Sequence, residues 1–561
     1  MASSAVDSPL LSNSDIVEGN VDFKGRQVRR SESGRWRSAS FIIGVEMAER
    51  FAYSGISANL ITYLTGPLGQ STAAAAKNVN AWDGTAALLP LAGAFIADSF
   101  LGRYCTIIVA SVLYILALGS LTLSATLPIF KSCEYQVAPN VLACSPAEIQ
   151  VAIFFFSLYL VAIAQGMHKP CVQAFGADQF DGQNPEEAKA KSSFFNWWYL
   201  SMCASITVTL VILTYIQENF SWGLGFGIPC LVMLIALILF LLGTNTYRFH
   251  VQCDESNPYL RIVRVFIRAA KNWRTTPSEL ERQRVHSYLG SQHLKFLNQA
   301  LLGPDGSREQ GEVCNISEVE EAKAVVRLFP ILATCLVYGI VYSQSSTLFT
   351  KQGVTMDRYI GQNFQVPAAS LQSLITLSIV VFVLLYDRSL VPIARAVTGK
   401  PSGITMLQRI GTGLLLSCLT MIIAASVEKK RLNIAQNYAL VDEPNAPVPL
   451  SIVWLIPQYL FLGVSESLTM VGLQEFFYNQ VPSGLKSTGL ALYLSIFGVG
   501  GFLSSFLISV IEKATGGQGS DSWFSDNLNK AHLDYFYWLL AGLSAVAFIA
   551  FLLVAKSYSY N

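Results

Sequence analysis

Long apolar stretches, separated by shorter polar ones, run along most of this chain. Each has the length of a helix that crosses a bilayer, which needs about 20 apolar residues. Six stretches lie on each side of a long polar segment, and this arrangement predicts two bundles related by an axis along the membrane normal. The predicted spans are 41–64, 82–101, 104–128, 150–176, 194–215, 223–243, 327–350, 368–386, 404–426, 451–476, 488–512 and 533–555.

The pattern therefore predicts an all-α membrane protein of about twelve transmembrane helices in two six-helix bundles. In the central loop, basic residues alternate with apolar ones, which predicts an amphipathic helix; these are Arg261, Arg264, Arg268 and Lys271. The predicted parts are a cytosolic tail 1–40, a bundle 41–243, a cytosolic loop 244–323, a bundle 324–556 and a cytosolic tail 557–561.

Composition supports a membrane protein. The chain has 561 residues, of which 52% are hydrophobic and 13% charged, with a mean hydropathy of +0.43. These values are too apolar for a soluble protein of this length. The net charge of +1 gives no reason to expect a nucleic-acid partner, and the lipid bilayer is the expected surrounding. The first 40 residues lack the apolar core of a signal peptide, so we expect the first helix to direct insertion.

Lysine and arginine set the predicted orientation, because cytosolic loops carry an excess of both. Their distribution places the two termini in the cytosol, although Lys429, Lys430 and Arg431 then fall on the outer side and go against the rule. Cys133 and Cys144 share one outer loop, where a disulfide is chemically permitted. The cysteines show no metal-ligand spacing, and neither a metal nor a cofactor is expected beyond protons as the coupling ion.

The first span contains charged residues that are costly in a membrane. Insertion scales assign roughly 2.5–3.5 kcal/mol to each such charge, so Glu46, Glu49 and Arg50 should not face lipid. At 100° per residue they share one helix face with Tyr53 and Ser57. Such a stripe fits either a structural ion pair or a proton-binding site in a transporter, and the remaining motifs favour the proton-binding site.

A second intramembrane cation, Lys169, lies near the inner end of the fourth span. At 1.5 Å per residue it sits roughly 10 Å from that end, the same depth as Glu46 and Glu49. Two acids and two bases sum to zero charge, as a buried cluster should. His168 points about 100° away from Lys169 on the helix, so we expect it to face a neighbouring helix.

A short turn joins the second and third spans. The turn has the pattern Gly-x4-Asp-x3-Gly-Arg, with Asp98, Gly102 and Arg103 as its last three named positions, and it lies on the predicted cytosolic side. It resembles the corresponding turn of the major facilitator superfamily. The resemblance implies a gating role for its charges, and Asp387 with Arg388 resembles the degenerate counterpart in the second half. Thr106 beside the turn is a candidate site for a cytosolic kinase.

Several motifs together are similar to the plant nitrate/peptide branch of the proton-coupled oligopeptide transporters. They are Glu-x-x-Glu-Arg-Phe from Glu46, Lys-Pro-Cys-Val from Lys169, Phe-Gly-Ala-Asp-Gln-Phe-Asp ending at Asp181, Ser-Phe-Phe-Asn-Trp-Trp-Tyr around Asn196, and Pro-Gln-Tyr from Pro457. The resemblance spans nearly the whole chain. It implies alternating access rather than enzymatic activity, with Glu46, Glu49 and Arg50 as the proton site and Lys169 as their partner.

Two departures from the family pattern bear on the substrate. Ser57 stands where peptide carriers have the arginine that receives the peptide carboxylate, and Tyr342 stands where nitrate-specialised relatives have a histidine. Glu466 aligns with the glutamate that receives a peptide amine, whereas Glu475, nine residues on, points to the opposite face and is expected to be a structural partner. The predicted substrate-binding residues are Tyr53, Asn196, Tyr342, Gln344 and Glu466.

The sequence thus predicts a proton-coupled transporter of a small solute, with nitrate as the first candidate. A larger organic substrate, such as a hormone, a glucosinolate or a di- or tripeptide, is the alternative. A transport-inactive sensor is a further alternative, although the intact intramembrane charges argue against it. The predicted location is the plasma membrane or the vacuolar membrane.

Overall fold

The computed structural model is predominantly helical. In the part of the chain that it describes, ten helices are long and apolar enough to cross a membrane. Two further long helices, α1 and α3 below, carry intramembrane charges and pack against these ten. The described residues are 16–126, 131–133, 144–146, 148–181, 184–250, 258–272, 295–301, 314–361, 364–390, 392–393, 396, 404–444, 446–481, 486–516 and 522–558.

The helices of the first half begin earlier than the hydropathy pattern predicts, because polar first turns extend beyond the apolar spans. Their bounds are α1 (Arg35–Ser57), α2 (Leu60–Thr65), α3 (Thr72–Ile96), α4 (Gly102–Thr126), α5 (Glu148–Ala177), α6 (Pro185–Val208), α7 (Thr214–Asn219) and α8 (Trp222–Leu242).

The remaining helices belong to the linker and to the second half of the chain. The bounds are α9 (Pro258–Lys271), α10 (Lys295–Asn298), α11 (Ile316–Tyr342), α12 (Leu348–Val354), α13 (Ser373–Leu385), α14 (Met406–Asn437), α15 (Ile456–Asn479), α16 (Lys486–Thr515) and α17 (Leu533–Ser557). Helix α9 is the predicted amphipathic helix: Val265 and Ala269 are buried on one face, in a cluster with Val319 and Ala322 of α11.

Short strands lie between the spans. The strands are β1 (Ile16–Val21), β2 (Gln27–Arg29), β3 (Lys131–Cys133), β4 (Cys144–Pro146), β5 (Phe249–His250), β6 (Met356–Asp357), β7 (Tyr359–Ile360), β8 (Phe364–Gln365) and β9 (Val448–Ser451). Strand β1 pairs antiparallel with β2 and β5, and β6 pairs parallel with β9. Strands β3 and β4 place Cys133 opposite Cys144, whose side chains lie outside the described part.

The N-terminal strands fold against the first bundle. Arg248, fully buried just before β5, forms an ion pair with Glu187 at 2.7 Å and donates a hydrogen bond to the carbonyl oxygen of Ser33. Arg30 after β2 lies 2.6 Å from a carboxylate oxygen of Asp181. Residues 16–34 are therefore anchored to the first bundle, although the sequence alone suggests a free tail there.

Helices α3 and α16 bring the two bundles together. A Cβ added to Gly84 would lie 2.8 Å from the carbonyl oxygen of Gly498, and one added to Gly501 would lie 2.7 Å from that of Asn80. Only glycine permits backbones to approach so closely. We call the side on which α1 begins the inner side and the side on which it ends the outer side.

Contacts across the outer side hold the bundles together. Lys77 of α3 pairs with Glu512 of α16 at 2.7 Å. Arg358 pairs with Glu218 at the same distance, and Lys351 donates to the hydroxyl of Thr65. These contacts describe a conformation with the outer side closed.

Arg431, one of the three basic residues predicted on the outer side, is buried near the outer end of α14. It forms an ion pair with Glu428 at 2.7 Å, with further hydrogen bonds to Asn529 and to the carbonyl oxygen of Leu528. A paired and buried arginine does not contribute a free positive charge to the outer loops. Arg431 therefore counts less against the rule that lysine and arginine are more frequent in cytosolic loops.

Candidate functional site

The charged stripe of α1 forms a buried cluster. Nε of Arg50 lies 3.0 Å from Oε1 of Glu46, and Nη2 lies 2.6 Å from Oε2 of Glu49. All three side chains are buried. Glu46 lies one helical turn before Arg50 and Glu49 directly precedes it, and both carboxylates reach the one guanidinium on the helix face that the sequence predicts.

Lys169 of α5 faces this cluster without pairing directly with it. The lysine interacts electrostatically with Glu46, Glu49 and Arg50 and is half-buried. Among the described residues, no carboxylate oxygen lies within the 4.0 Å ion-pair distance of its ammonium nitrogen. Within the described part of the chain, Arg50 alone pairs with the two glutamates, and Lys169 forms no ion pair.

Two aromatic side chains complete the cluster, and the sequence did not place either there. The hydroxyl of Tyr114 on α4 donates to Oε1 of Glu49 at 3.3 Å. His168 faces a neighbouring helix, as expected, and that helix is α1: the residue is fully buried, and one of its ring nitrogens lies within 4.8 Å of carboxylate oxygens of Glu46 and Glu49. Its ring nitrogens have no hydrogen-bond partner among the described residues.

The spacing of Glu46, Glu49 and His168 also resembles that of a metal site. A divalent ion needs carboxylates that are free to coordinate it. Here the guanidinium of Arg50 lies against both carboxylates, and its positive charge disfavours a second cation at the same oxygens. The cluster therefore fits an ion pair better than a metal centre.

The predicted substrate-binding residues do not all reach one cavity. Tyr53, Tyr342 and Glu466 are half-buried, and Tyr342 interacts electrostatically with Glu466. Gln344 departs from the prediction: it is fully buried and donates to the carbonyl oxygen of Ile340 and to Ser504 of α16, so it packs within its own bundle instead of lining a cavity. The side chain of Asn196 lies outside the described part.

Asp83 is an intramembrane acid that the sequence analysis missed. The hydroxyl of Tyr53 donates to Oδ1 of Asp83 at 3.0 Å, and Ser346 donates to Oδ2 at 3.5 Å. The predicted span began at residue 82, which put Asp83 at its edge, but α3 begins at Thr72. An acid eleven residues inside a membrane helix is itself a signal of function.

The turn between α3 and α4 has the expected backbone. Gly102 has a φ of +73°, a left-handed conformation that favours glycine. Arg103 forms an ion pair with Asp178 at the inner end of α5. Thr106 departs from its predicted role, because its buried hydroxyl donates to the carbonyl oxygen of Gly102 and is not accessible to a kinase in this conformation.

The remaining gating predictions are only partly visible. The side chains of Asp98, Asp387 and Arg388 lie outside the described part. Glu475 is exposed and lies 3.9 Å from Arg409, a weak contact consistent with a structural role. Glu466 faces the other way on α15 and is half-buried, so the two glutamates occupy different faces, as their spacing predicts.

Comparison with known proteins agrees with this architecture. The model of the POT family (PTR2) matches residues 104–524. The Arabidopsis thaliana protein NRT1/PTR FAMILY 5.10 is 59% identical over 97% of this chain and 96% of its own length. A crystal structure of an auto-inhibited POT family peptide transporter superposes with a TM-score of 0.70 at 21% identity, covering 94% of this chain and 98% of that chain.

A further solved structure holds a ligand. It is a POT family transporter in complex with 5-aminolevulinic acid, with a TM-score of 0.61 at 17% identity, covering 93% of this chain and 96% of that one. Both solved structures have the major facilitator fold that this chain shares. The buried charge cluster, the paired bundles and the family match together place the chain in the POT family, as a plant NRT1/PTR-type proton-coupled membrane transporter.

Proposed function

We propose that this transporter moves a small polar solute together with protons by alternating access, with Glu46 and Glu49 as the proton acceptors. The observation that carries the proposal is the single guanidinium of Arg50 between two buried carboxylates. Arg50 alone cannot neutralise two anions, so the remaining positive charge comes either from a bound proton or from the ammonium of Lys169. Lys169 is the second cation that responds to that proton.

The cluster couples proton binding to movement through electrostatics. At an effective dielectric of about 20, a charge pair 4 Å apart is worth about 4 kcal/mol. Among the described residues the ammonium of Lys169 on α5 lies more than 4.0 Å from both carboxylates, so its attraction to α1 is weaker than this value. Protonating one glutamate weakens that attraction further, so the helices separate more easily. Arg50 then keeps one ionised carboxylate partner, and the net charge of the two acids and two bases changes from 0 to +1.

Nitrate is the first candidate solute. Lys169 supports it, because a half-buried ammonium without an ion pair among the described residues attracts an anion. Tyr342 supplies a hydroxyl but no positive charge. We therefore expect nitrate affinity to be on the order of millimolar, about −4 kcal/mol, and to improve as protons neutralise the glutamates.

An organic solute that carries an amine is the second candidate. Glu466 supports it, since this half-buried carboxylate has no cation within 4.0 Å in the described part of the chain. A solved POT family transporter of the same fold binds 5-aminolevulinic acid, which has both a carboxylate and an amine. A solute with both charges could use Lys169 at one end and Glu466 at the other.

A current measurement tests the proposal. The full-length protein is expressed in oocytes, and inward proton current is recorded with nitrate, 5-aminolevulinic acid and a dipeptide at acidic and neutral pH. We expect a solute-dependent current that grows as the pH falls. Glu475→Gln is the matched control because it alters an exposed glutamate outside the cluster. Solute uptake with no accompanying charge or proton movement would contradict proton coupling.

The same cells test location and topology. We propose cytosolic termini and residence in the plasma membrane or the vacuolar membrane, on the basis of the distribution of lysine and arginine. Terminal epitopes should react with antibody only after the membrane is permeabilised. If the terminal epitopes react with antibody in intact cells, the proposed orientation is wrong.

A further inference from the structure

Asp83 lies where the two bundles meet. It belongs to α3 of the first bundle, and one of its two hydroxyl donors, Ser346, follows α11 of the second. The other donor, Tyr53, lies on α1. An ionised carboxylate has about four acceptor positions, so two hydroxyl donors leave part of its capacity unused.

The carboxylate of Asp83 has no ion pair within 4.0 Å in the described part of the chain. A charge in a membrane helix usually has a partner of opposite sign. Glu46 and Glu49 have Arg50, and Glu428 has Arg431. Asp83 therefore differs from those buried acids in lacking a protein cation.

Around Asp83, hydrogen-bond acceptors outnumber hydrogen-bond donors. Asn80, one helical turn from Asp83, and Gln344, two residues before Ser346, both donate to the hydroxyl of Ser504. Both amides are fully buried, and Oδ1 of Asn80 and Oε1 of Gln344 receive no hydrogen bond from the described residues. The neighbourhood of Asp83 thus has more oxygen acceptors than donors, and no described amide donates to the carboxylate of Asp83, which leaves that carboxylate able to accept N–H groups of a ligand.

Several aromatic rings lie near the carboxylate of Asp83. Tyr53 stacks on Trp82 with ring centroids 5.2 Å apart, and Tyr342 meets the edge of Phe497 at the same separation. Tyr342 interacts electrostatically with both Asp83 and Glu466. Carboxylates beside aromatic faces are typical of ammonium recognition, because ring faces attract a cation that carboxylates then orient.

We propose that Asp83 binds a protonated amine of the transported solute, as a specificity-determining residue held in place by Tyr53 and Ser346. Ammonium supplies three donors, and these match the excess of oxygen acceptors. Because Ser346 belongs to the opposite bundle, an amine at Asp83 contacts both halves. The inference deepens the organic-solute candidate of the proposed function and does not depend on which residue binds the coupling proton.

The test compares matched ligands that differ only in the amine. Binding to the purified full-length protein in nanodiscs is measured for 5-aminolevulinic acid against levulinic acid, and for 4-aminobutyrate against butyrate, at a pH where the amine is charged. We expect the wild-type protein to prefer at least one amine by about tenfold or more, the range of a hydrogen bond to a charged group. Asp83→Asn should remove the preference and leave affinity for the amine-free acid unchanged.

Two further variants keep the result interpretable. Ser346→Ala should weaken the preference for the amine only partly, because Tyr53 remains, and it gives a readout if Asp83→Asn does not fold. Glu475→Gln is the matched control and should behave like the wild type. Equal affinity within both ligand pairs, or an unchanged preference in Asp83→Asn, would overturn the proposal.

The proton-current recording in oocytes, made on the same variants, distinguishes a failure of this proposal from a failure of the proposed function. If Glu49→Gln stays proton-coupled while Asp83→Asn loses the amine preference, the assignment of the proton site fails and the amine site stands. If Asp83→Asn changes the number of protons moved per solute but not the preference, Asp83 binds a proton and the amine proposal fails.

Discussion

Lys77 and Glu512 form an ion pair, with 2.7 Å between Nζ and Oε2, across the boundary between the two bundles. Both side chains are about one-third exposed, at 28% and 34%. The pair lies on the outer side, next to the close crossing of α3 and α16. Alternating access requires these helices to separate, so the pair must break whenever the outer side opens.

The first prediction concerns that pair. Lys77→Ala should increase the population open to the outer side by about 1.5- to 5-fold, because a partly exposed ion pair contributes about 0.2–1 kcal/mol. The measurement is the labelling rate of a cysteine introduced into the outer half of α3. Lys530→Ala is the control, since Lys530 pairs with Asp442 within the second bundle. Equal labelling in all three proteins would mean that this pair does not hold the outer side closed.

The second prediction concerns the proton site. Glu49→Gln should abolish proton-driven accumulation, because the amide cannot carry the proton and leaves Arg50 paired with Glu46 alone. The variant should remain inserted and folded, as judged by size-exclusion chromatography. Accumulation is measured as solute uptake against a concentration gradient in proteoliposomes with an imposed pH gradient. Full accumulation by the variant would show that the coupling proton binds elsewhere.

The third prediction is a pH dependence. Lys169→Ala leaves two carboxylates with Arg50 as their cation, a net charge of −1 when both are ionised. Protons compensate this charge at low pH but not at high pH, so transport should fail more severely at high pH. Initial uptake rates of the variant and the wild type are compared between about pH 5 and pH 8. A loss of equal size throughout would indicate that Lys169 contacts the solute instead.

The fourth prediction concerns the anion. Tyr342→His should tighten nitrate binding at about pH 5.5, where an imidazole with an ordinary pKa of about 6.5 is mostly charged, and change it little at about pH 8. Nearby Asp83 and Glu466 favour the charged imidazole. Tyr342→Phe controls for loss of the hydroxyl. If the wild type moves no nitrate at any pH and Tyr342→His confers none, the organic solute replaces nitrate as the candidate.

The arrangement of the charge cluster on α1 could be predicted because it depends on one helix. Spacing along a single helix fixes which side chains share a face, and Glu46, Glu49 and Arg50 meet as that spacing requires. Family motifs then predicted Lys169 beside them. The same helical rule correctly separated Glu466 from Glu475.

Contacts between helices could not be predicted in this way. His168 and Tyr114 reach Glu49 because of how α4 and α5 rotate and pack against α1, which no local pattern records. Asp83 was missed because the predicted span began only at residue 82, whereas α3 begins at Thr72 and places Asp83 well inside the helix. The burial of Arg431 could not be predicted either, because its partners Asn529 and Leu528 lie almost a hundred residues away along the chain.

The N-terminal strands have a practical consequence for following the transport cycle. Because Arg30 and Arg248 tie residues 16–34 to the inner end of the first bundle, the exposed hairpin residue Lys24 moves as part of that bundle. A spectroscopic label at Lys24, paired with one at the exposed Ile316 where α11 begins, would thus act as a distance ruler between the two halves. It would record each closure of the inner side without altering any residue of the charge cluster or of the cavity.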